Sequence, residues 1–442
     1  MSFDEDYDRP PVTFVPVGQD DEEREENLEM VKPSPGYFTS SVLIADAIIK
    51  RSEVTVLDYT AGQVTVRYQI DGIWHAGNPM DRETGDYMLA ALKQLAGMDY
   101  RERRQRQTGN FSTEFQKAKQ KVRLVSQGVS TGERVVIYLT WKKDVIDKVE
   151  DLGMRESMQE QLKELLRFDD KGMLLISGKS GEGYTSVWRG VLNACDRLTR
   201  DFYVIEEEAM VEEEVINFGS ITFDSGKGET AMTPLPALML REPNVLAFNN
   251  LPDGKTVDEI GDISNQHDIP VYVRAQGRNC IDAVRRVAKL KPDLGKFAKL
   301  LKYVICMRTL RRLCPKCRIE YPPHPKLLQK LGLPVGRVAA LYQPFIYRAG
   351  MLDEDEEEIV PCDHCSGIGY KGLTGIFELL TVNDELKKAI AKNADSKTLK
   401  KIAASNRHVS MRQEGAILVA KGATSVEELQ RVLAAKQKSK AK

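Results

Sequence analysis

The sequence predicts an α/β protein, and three features of its pattern indicate this fold class. In the first third of the chain, segments with period-two alternation of apolar residues follow a helical segment. In the middle third, short apolar runs that indicate buried strands alternate with helices, as in a parallel sheet. One of these strands leads into a glycine-rich turn and then a helix, the local arrangement in which proteins bind phosphate groups.

Composition narrows the class of protein. The chain has 442 residues, enough for roughly two to four domains, and its 42% hydrophobic and 29% charged residues are typical of a globular protein. The net charge of −1 creates no global field towards nucleic acid or acidic lipid, so we expect no direct nucleic-acid partner. The start of the chain has no signal-peptide pattern, and no apolar run reaches about 18 residues. We therefore expect a cytoplasmic protein without a membrane span.

Residues 1–35 are strongly acidic, with eleven acidic and three basic residues. Few large apolar groups are present to offset the entropy lost on ordering, so we predict a disordered acidic arm. The arm is either a docking peptide or a plain solvated tail, and its composition favours the tail.

Residues 36–143 are predicted to form a small α/β domain. A helix at Val42–Ile49 precedes two strands, which the Ala61-Gly62 turn joins into a hairpin. A second helix and a second pair of strands, joined by a turn near Gly128, complete the domain. The strands are predicted at Val54–Tyr59, Val64–Gly72, Lys121–Ser126 and Glu133–Thr140, and the second helix at Tyr87–Gly97.

Residues 144–312 are predicted to form the parallel-sheet domain. A charged helical segment precedes its first strand, and basic helices over residues 281–312 end it. Ligands of parallel sheets bind at the carboxyl ends of the strands, so the phosphate loop and Glu206, Asn249 and Asn250 can share one site. The strands are predicted at Met173–Ile176, Asp201–Glu208, Asn244–Phe248 and Val271–Val273.

The glycine-rich turn matches the phosphate-binding pattern G-x-x-x-x-G-K-[ST] at every position but one. Gly178, Gly183 and Thr185 match it, but Tyr184 stands where the pattern has lysine. The glycines allow backbone N–H groups to wrap a phosphate, and the threonine offers a hydroxyl to Mg²⁺. The predicted nucleotide-binding residues are Gly178, Lys179, Ser180, Gly181, Glu182, Gly183, Thr185 and Ser186.

The tyrosine changes the chemistry expected of this loop. A lysine ammonium about 4 Å from a phosphate contributes on the order of 4 kcal/mol at an effective dielectric constant of ~20. Tyrosine is uncharged at neutral pH, so the loss of the ammonium slows hydrolysis by roughly a thousandfold. Lys179 lies where a deviant P-loop carries its lysine. Either it reaches a phosphate of its own or a neighbouring chain, or it is a solvent-exposed lysine in an empty turn, and the second interpretation is better supported.

Four of the seven cysteines form two C-x-x-C pairs. Cys314, Cys317, Cys362 and Cys365 have the knuckle spacing of a tetrahedral structural Zn²⁺ site, with no coordination position left open. The odd total argues against a disulfide framework. His364 is expected to be a bystander, and the remaining thiols, Cys195, Cys280 and Cys306, are expected to be buried packing residues.

The predicted zinc module spans residues 313–375 and contains the acidic loop Asp353–Glu358. Residues 376–442 are predicted to form short helices that end in the basic tail Lys436–Lys442.

Four motifs resemble those of the motor ATPases of type II secretion and type IV pilus assembly, and the resemblance covers about residues 36–430. It implies a PAS-like domain before the parallel sheet, a RecA-like ATPase domain, and a hexameric ring of this chain alone or with a paralogous ATPase. It also implies contacts with inner-membrane platform proteins, so the chain would be peripheral to that membrane. The nucleotide would be Mg-ATP or ADP. The motifs are Val66–Gly72, Met98–Gly109, Leu310–Cys317 and Cys362–Glu378.

Other functional positions of that family are also replaced. The glutamate that would polarise attacking water aligns with Asn250, and the family's histidine aligns loosely with Gln276. The glutamate of the acidic box is retained as Glu206. One arginine that the N-terminal domain lends to a neighbour's nucleotide aligns with Tyr138, and another aligns near Arg123.

These features leave functions of different classes open. The leading hypothesis is a scaffold or regulatory pseudo-ATPase of a secretion or pilus system, and the alternative is a working ATPase with a non-standard P-loop. Nucleic-acid binding by the basic helices is disfavoured, because no aromatic residues interleave with the basic ones. Those basic residues are Arg285, Arg286, Lys289, Lys291, Arg308, Arg311 and Arg312.

Overall fold

The computed structural model describes residues 10–140, 148–211, 215–348, 350–352, 357–406 and 408–434. The chain divides into two compact units, one of residues 1–144 and 347–368 and the other of residues 145–346 and 369–442. Both contain sheets and helices, so the predicted α/β class is confirmed. Within the described residues, no helix has the length and apolar character needed to span a membrane.

The first unit is built on an eight-stranded sheet in which all neighbours are antiparallel. The sheet order is β1-β6-β7-β8-β2-β3-β4, and β5 pairs with β3. The strands are β1 (Thr13–Val15), β2 (Val54–Tyr59), β3 (Gln63–Ile70), β4 (Ile73–Ala76), β5 (Met80–Asp81), β6 (Gln107–Phe115), β7 (Ala118–Val129) and β8 (Gly132–Thr140). The helices are α1 (Asp21–Val31), α2 (Pro35–Ile49) and α3 (Arg82–Leu95).

The core of the first unit lies between the sheet and the helices. Period-two alternation along β3 buries Val64, Val66, Tyr68 and Ile70, and these side chains belong to the same apolar cluster as residues of α2 and α3. The predicted hairpin of β2 and β3 and the predicted pair β7 and β8 are both present.

The prediction of a disordered acidic arm is wrong for residues 10–35, the described part of that segment. Strand β1 pairs with β6, and its Phe14 is buried in the core of the unit. Helix α1 begins at a capped end, where the Asp20 carboxylate accepts a hydrogen bond of 2.9 Å from the Glu23 N–H. A few apolar anchors, which the acidic composition obscures, are sufficient to dock the segment. Residues 1–9 lie outside the described residues.

The second unit is built on a seven-stranded sheet of order β11-β10-β12-β13-β9-β14-β17. Its first six strands are parallel, and β17 is antiparallel to β14. The strands are β9 (Gly172–Gly178), β10 (Phe202–Glu207), β11 (Phe218–Phe223), β12 (Val245–Phe248), β13 (Pro270–Gln276), β14 (Leu301–Leu313) and β17 (Tyr370–Thr381), with a separate pair β15 (Ile319–Tyr321) and β16 (Leu341–Gln343). The α-helices are α4 (Glu156–Leu165), α5 (Tyr184–Asn193), α6 (Leu235–Met239), α7 (Gly254–His267), α8 (Cys280–Lys289), α9 (Leu294–Leu300), α10 (Pro325–Leu331), α11 (Asp384–Ala391), α12 (Ser396–Ser405), α13 (Met411–Ala420) and α14 (Val426–Leu433).

Strand β9 is buried along its whole length because apolar clusters cover both faces of this sheet. Met173 and Leu175 belong to the cluster that includes residues of α7, α8 and α9, whereas Leu174 and Ile176 belong to the cluster that includes residues of α4 and α5. This burial explains why the sequence there is a continuous apolar run.

The prediction that residues 281–312 are helical is correct for α8 and α9 but wrong for β14. This strand lies between β9 and β17, so its basic residues depend on partners elsewhere in the unit. Arg311 donates to the buried carboxylate of Glu428 through its backbone N–H and its guanidinium. Burial raises the pKa of Glu428, but the hydrogen bonds from Arg431 and Arg311 outweigh burial and lower the pKa to about 2. Tertiary pairing therefore overrides the local helical pattern.

Three further predictions concern the chain beyond residue 352. The helices predicted from residue 376 begin only at α11, because β17 extends to Thr381. The basic tail Lys436–Lys442 and residues 353–356 of the acidic loop lie outside the described residues.

We predict that Lys93→Met destabilises the first unit by about 3–5 kcal/mol, because it leaves the buried Glu133 carboxylate without its ammonium partner. Lys93 Nζ lies 2.6 Å from Glu133 Oε1, and the side chains are 0% and 2% exposed. Urea unfolding of the full chain measures the change. The matched control is Lys119→Met, at an exposed lysine, for which we expect a change within about 0.5 kcal/mol. Equal unfolding free energies of the two variants would contradict the prediction.

Candidate functional site

The glycine-rich loop joins the end of β9 to the start of α5. Gly178 is the last residue of β9, and Gly183 caps α5 with a left-handed φ of 89°. Between them the Glu182 N–H donates to the Lys179 carbonyl at 2.8 Å, which closes a tight turn. The strand, turn and helix predicted from the sequence are therefore present at this position.

Packing favours glycine at Gly178, and the left-handed backbone favours it at Gly183. A Cβ atom on Gly178 would lie 2.9 Å from the Tyr184 Cα, closer than ordinary contacts allow. A Cβ on Gly183 would lie 2.5 Å from the Met307 side chain of β14, and its φ favours glycine in any case. The loop is thus held closely against its own helix and against the neighbouring strand.

Arg274 of β13 reaches the loop and occupies its helical end. Its guanidinium carbon lies 3.9 Å from the centre of the Tyr184 ring and 5.9 Å from that of Trp188. Its Nη2 donates to Thr185 Oγ1 at 3.1 Å, and the residue is 5% exposed. A buried guanidinium over an aromatic face is a strong cation–π arrangement. Tyr184, which stands in place of the P-loop lysine, therefore packs against a cation of the same chain, Arg274.

Glu182 holds the other charged groups of the loop. Its carboxylate accepts hydrogen bonds from Lys179 Nζ and from Arg308 of β14, whose Nε lies 2.7 Å from Oε2. Burial raises the pKa of Glu182, but these hydrogen bonds outweigh burial and hold the pKa below its ordinary value. The expectation that Lys179 is solvent-exposed is wrong, because this half-buried lysine is ion-paired within the turn.

Further polar residues lie along the same edge of the sheet. Asn249 Nδ2 donates to Glu206 Oε1 at 3.0 Å, and Ser220 Oγ donates to Glu206 Oε2 at 3.2 Å. Glu206 and Asn249 are buried, whereas Asn250 and Gln276 are exposed. The strand order β10-β12-β13-β9 places these residues in a row with the loop. Asn249, rather than Asn250, is the residue that contacts the acid.

The remaining predicted loop residues lie in or beside the turn. Ser180 and Gly181 are exposed in the turn itself, and Ser186 lies in the first turn of α5.

In the first unit, Arg123 lies directly opposite Tyr138 in the β7–β8 pair, with its guanidinium 5.9 Å from the ring.

The roles of Arg274 and Arg308 were not predicted from the sequence. Both lie inside apolar runs that form buried strands, at β13 and β14. A charged residue within a buried strand requires a partner, and this signal was available in the sequence. The identity of the partner was not, since Thr185 and Glu182 are 89 and 126 positions away in the chain.

The two C-x-x-C pairs of the predicted tetracysteine cluster each form a compact turn. Arg318 N–H donates to the Cys314 carbonyl in one turn, and Gly367 N–H donates to the Cys362 carbonyl in the other. Two such turns are the usual source of the four thiolates that bind a tetrahedral structural metal.

The other cysteines are buried, as predicted. Burial raises the pKa of the Cys195 thiol to about 12, and it raises the pKa values of Cys280 and Cys306 well above the ordinary value. Because the thiolate is the reactive form, these three side chains have a packing role.

The strand–glycine loop–helix unit at a parallel sheet, with polar residues at the carboxyl ends of neighbouring strands, defines a P-loop NTPase type of fold. The sequence profile described as "Type II/IV secretion system protein" matches residues 37–431. The chain belongs to this family.

Relatives in the family come from pilus assembly and protein secretion. The chain is 25% identical over 413 residues to the type IV pilus assembly ATPase PilB of Thermus thermophilus, covering 93% of this chain but only 44% of that protein. It is 24% identical over 425 residues to the type II secretion system protein E of Dickeya dadantii, covering 95% of this chain and 80% of that protein. The chain thus spans less than half of the pilus protein.

Solved structures of two ATPases share the fold. The Legionella pneumophila ATPase DotB aligns with a TM-score of 0.53 at 9% identity, over 89% of this chain and 95% of that chain. The Yersinia pseudotuberculosis ATPase DotB aligns with a TM-score of 0.51 at 10% identity, over 88% and 92%. At these identities the likeness concerns the fold alone.

We predict an energetic coupling between Arg274 and Tyr184, because the buried guanidinium depends on the aromatic face that covers it. A double-mutant cycle with Arg274→Met and Tyr184→Leu should give a coupling of about 1–2 kcal/mol by urea unfolding. Tyr184→Phe keeps the ring and serves as the matched control, in which the coupling to Arg274 should persist. Additive effects of the two single substitutions would contradict the coupling.

Proposed function

We propose that this chain is a motor-type subunit of a type II secretion or type IV pilus system that does not hydrolyse nucleotide. It keeps the architecture of the family and acts as a scaffold or regulatory subunit. Its partners are other copies of itself or a paralogous ATPase in a hexameric ring. This role goes beyond membership of the family. It is proposed only for the region of the relatives with which this chain aligns.

The observation that carries the proposal is the contact of Arg274 with Tyr184 and Thr185. In P-loop enzymes the lysine neutralises phosphate charge, and the following hydroxyl binds Mg²⁺. Here the lysine position is a neutral ring, and the hydroxyl accepts a hydrogen bond from a guanidinium. A unit charge and a divalent cation about 4 Å apart repel by roughly 8 kcal/mol at an effective dielectric constant of ~20. The arginine therefore disfavours metal binding at Thr185.

The residues that would activate water support the same proposal. An amide at Asn250 and at Gln276 offers no base to an attacking water. Glu206 retains a carboxylate, but its two oxygens accept hydrogen bonds from the side chains of Asn249 and Ser220. Phosphoryl transfer depends on the positioning of the reacting groups and on the stabilisation of charge. Both are weakened at this edge of the sheet.

The alternative function is an active ATPase that uses a non-standard P-loop to drive secretion or pilus assembly. Lys179 is the cation such an enzyme would use, with Mg-ATP as its substrate. For that role Lys179 would have to leave Glu182, with which it forms an ion pair. That requirement makes the alternative the weaker of the two.

The location follows from the proposed partners. We propose that the chain works in the cytoplasm, at the face of the inner membrane, held there by platform proteins of the secretion or pilus machine.

Its contact with nucleic acid would be indirect. Several arginines of the basic segments are engaged within the chain: Arg285 with Asn393, Arg286 with Asp282, Arg308 with Glu182 and Arg311 with Glu428.

We propose that the tetracysteine cluster binds one structural Zn²⁺. Four cysteine ligands leave no open position for a substrate, so the metal would tie the two C-x-x-C turns together rather than take part in a reaction. Cys314, Cys317, Cys362 and Cys365 would each supply a thiolate.

The hydrolysis proposal predicts that the wild-type chain releases phosphate from Mg-ATP at least about a thousandfold more slowly than an intact family ATPase. A phosphate-release assay on the full chain measures this rate, with the Thermus thermophilus pilus ATPase as positive control. Turnover at ordinary enzyme rates would contradict the proposal. Loss of that turnover in Lys179→Ala would then assign it to the alternative ATPase.

The zinc proposal predicts one zinc per purified chain and its loss in Cys362→Ser, because three thiolates bind the metal less tightly than four. Elemental analysis of the full-length protein measures the content. Cys195→Ser, at a buried cysteine outside the cluster, is the matched control and should keep the metal. Full retention of zinc in Cys362→Ser would exclude the tetracysteine assignment.

A further inference from the structure

Glu182 occupies an unusual place for an acidic residue. It stands between the two glycines of a phosphate-type loop, where an incoming phosphate would meet a like charge. Its side chain is 20% exposed, and that of Arg308 is only 6% exposed. Both oxygens of the carboxylate are used, one by Lys179 and the other by Arg308.

The contacts made by this carboxylate are those that an oxyanion ligand would make. Arginine binds carboxylate and phosphate through the same planar array of N–H donors, and lysine binds either as a point charge. Arg308 directs two of these donors, Nε and Nη2, at one oxygen of Glu182. Lys179 and Arg308 are thus already neutralised by a residue of the loop.

The backbone of the turn is engaged in the same way. The Glu182 N–H donates to the Lys179 carbonyl at 2.8 Å and is therefore unavailable to a phosphate in this conformation. A ligand anion would have to displace the Glu182 side chain from both cations and would still lie next to its charge.

We propose that Glu182 is an internal anion that occupies Lys179 and Arg308, and that removal of its charge converts the loop into a binding site for an oxyanion of the pyrophosphate class. The inference rests on the proposed function, since it explains why the same loop would not take up nucleotide. Beyond the proposed function, it identifies the loop as a latent binding site, oxyanions of the pyrophosphate class as its ligands, and Glu182 as the residue that blocks it.

Titration of the full-length protein with inorganic pyrophosphate, in the absence of divalent metal, tests the proposal. We expect Glu182→Gln and Glu182→Ser to bind pyrophosphate at least about tenfold more tightly than the wild-type chain. Glu182→Asp keeps the charge and should behave like the wild type. Adding Arg308→Gln to Glu182→Gln should abolish the gain, because the proposed site then lacks its guanidinium.

Removal of the Glu182 charge leaves Arg308 buried beside an uncharged partner, so the variants are expected to be less stable. Pyrophosphate should therefore raise the unfolding temperature of Glu182→Gln more than that of the wild type, whereas chloride at the same ionic strength should not. This measurement also applies to a variant that is only marginally folded.

The proposal is overturned if the wild type binds pyrophosphate as tightly as Glu182→Gln, or if neither uncharged variant shows a gain in affinity or unfolding temperature. The proposed function fails on a different result, namely ATP turnover by the wild-type chain. The two experiments therefore separate the two ideas.

Discussion

Two buried guanidinium groups flank strand β9, and the loop that follows this strand has to satisfy both. Arg274 lies in β13 and Arg308 in β14, the two strands that pair with β9. A buried charge without a compensating partner costs several kcal/mol. Tyr184 and Thr185 compensate one arginine and Glu182 compensates the other. The electrostatics of the loop are thus set by its own neighbouring strands.

This constraint connects features that the sequence presents separately. A tyrosine at the lysine position and a glutamate between the glycines look like two independent departures from the phosphate-binding pattern. In the structure each is the partner of one buried arginine, so each departure has a packing role in the folded chain. The glycines also have a structural reason, because Gly178 is required by the close approach of the loop to α5 and Gly183 by its left-handed φ, whether or not a ligand binds.

The sequence was sufficient for the fold class because the relevant signals are local. Apolar period, turn glycines and strand length locate β2, β3, β7 and β8 and the parallel strands, including the strand before the loop. It was insufficient where burial depends on distant partners. Strand β14 was predicted as helix because its arginines form a basic pattern, and their partners Glu182 and Glu428 lie far away in the chain. The N-terminal arm was misjudged since a few anchors such as Phe14 outweigh an acidic composition.

The pairing of loop and strands also bears on whether the loop could regain the chemistry of its relatives by a single change. A lysine at position 184 would place an ammonium close to the Arg274 guanidinium, where the ring now lies 3.9 Å away. Like charges in a buried setting repel, so this change alone would strain the fold rather than restore a phosphate site. An uncharged residue at position 182 would leave Arg308 without its carboxylate. Return of a lysine at position 184 therefore needs a second change in β13, and loss of the charge at position 182 costs stability at β14. This coupling favours a loop adapted as a structural unit over one that has lost a single catalytic group.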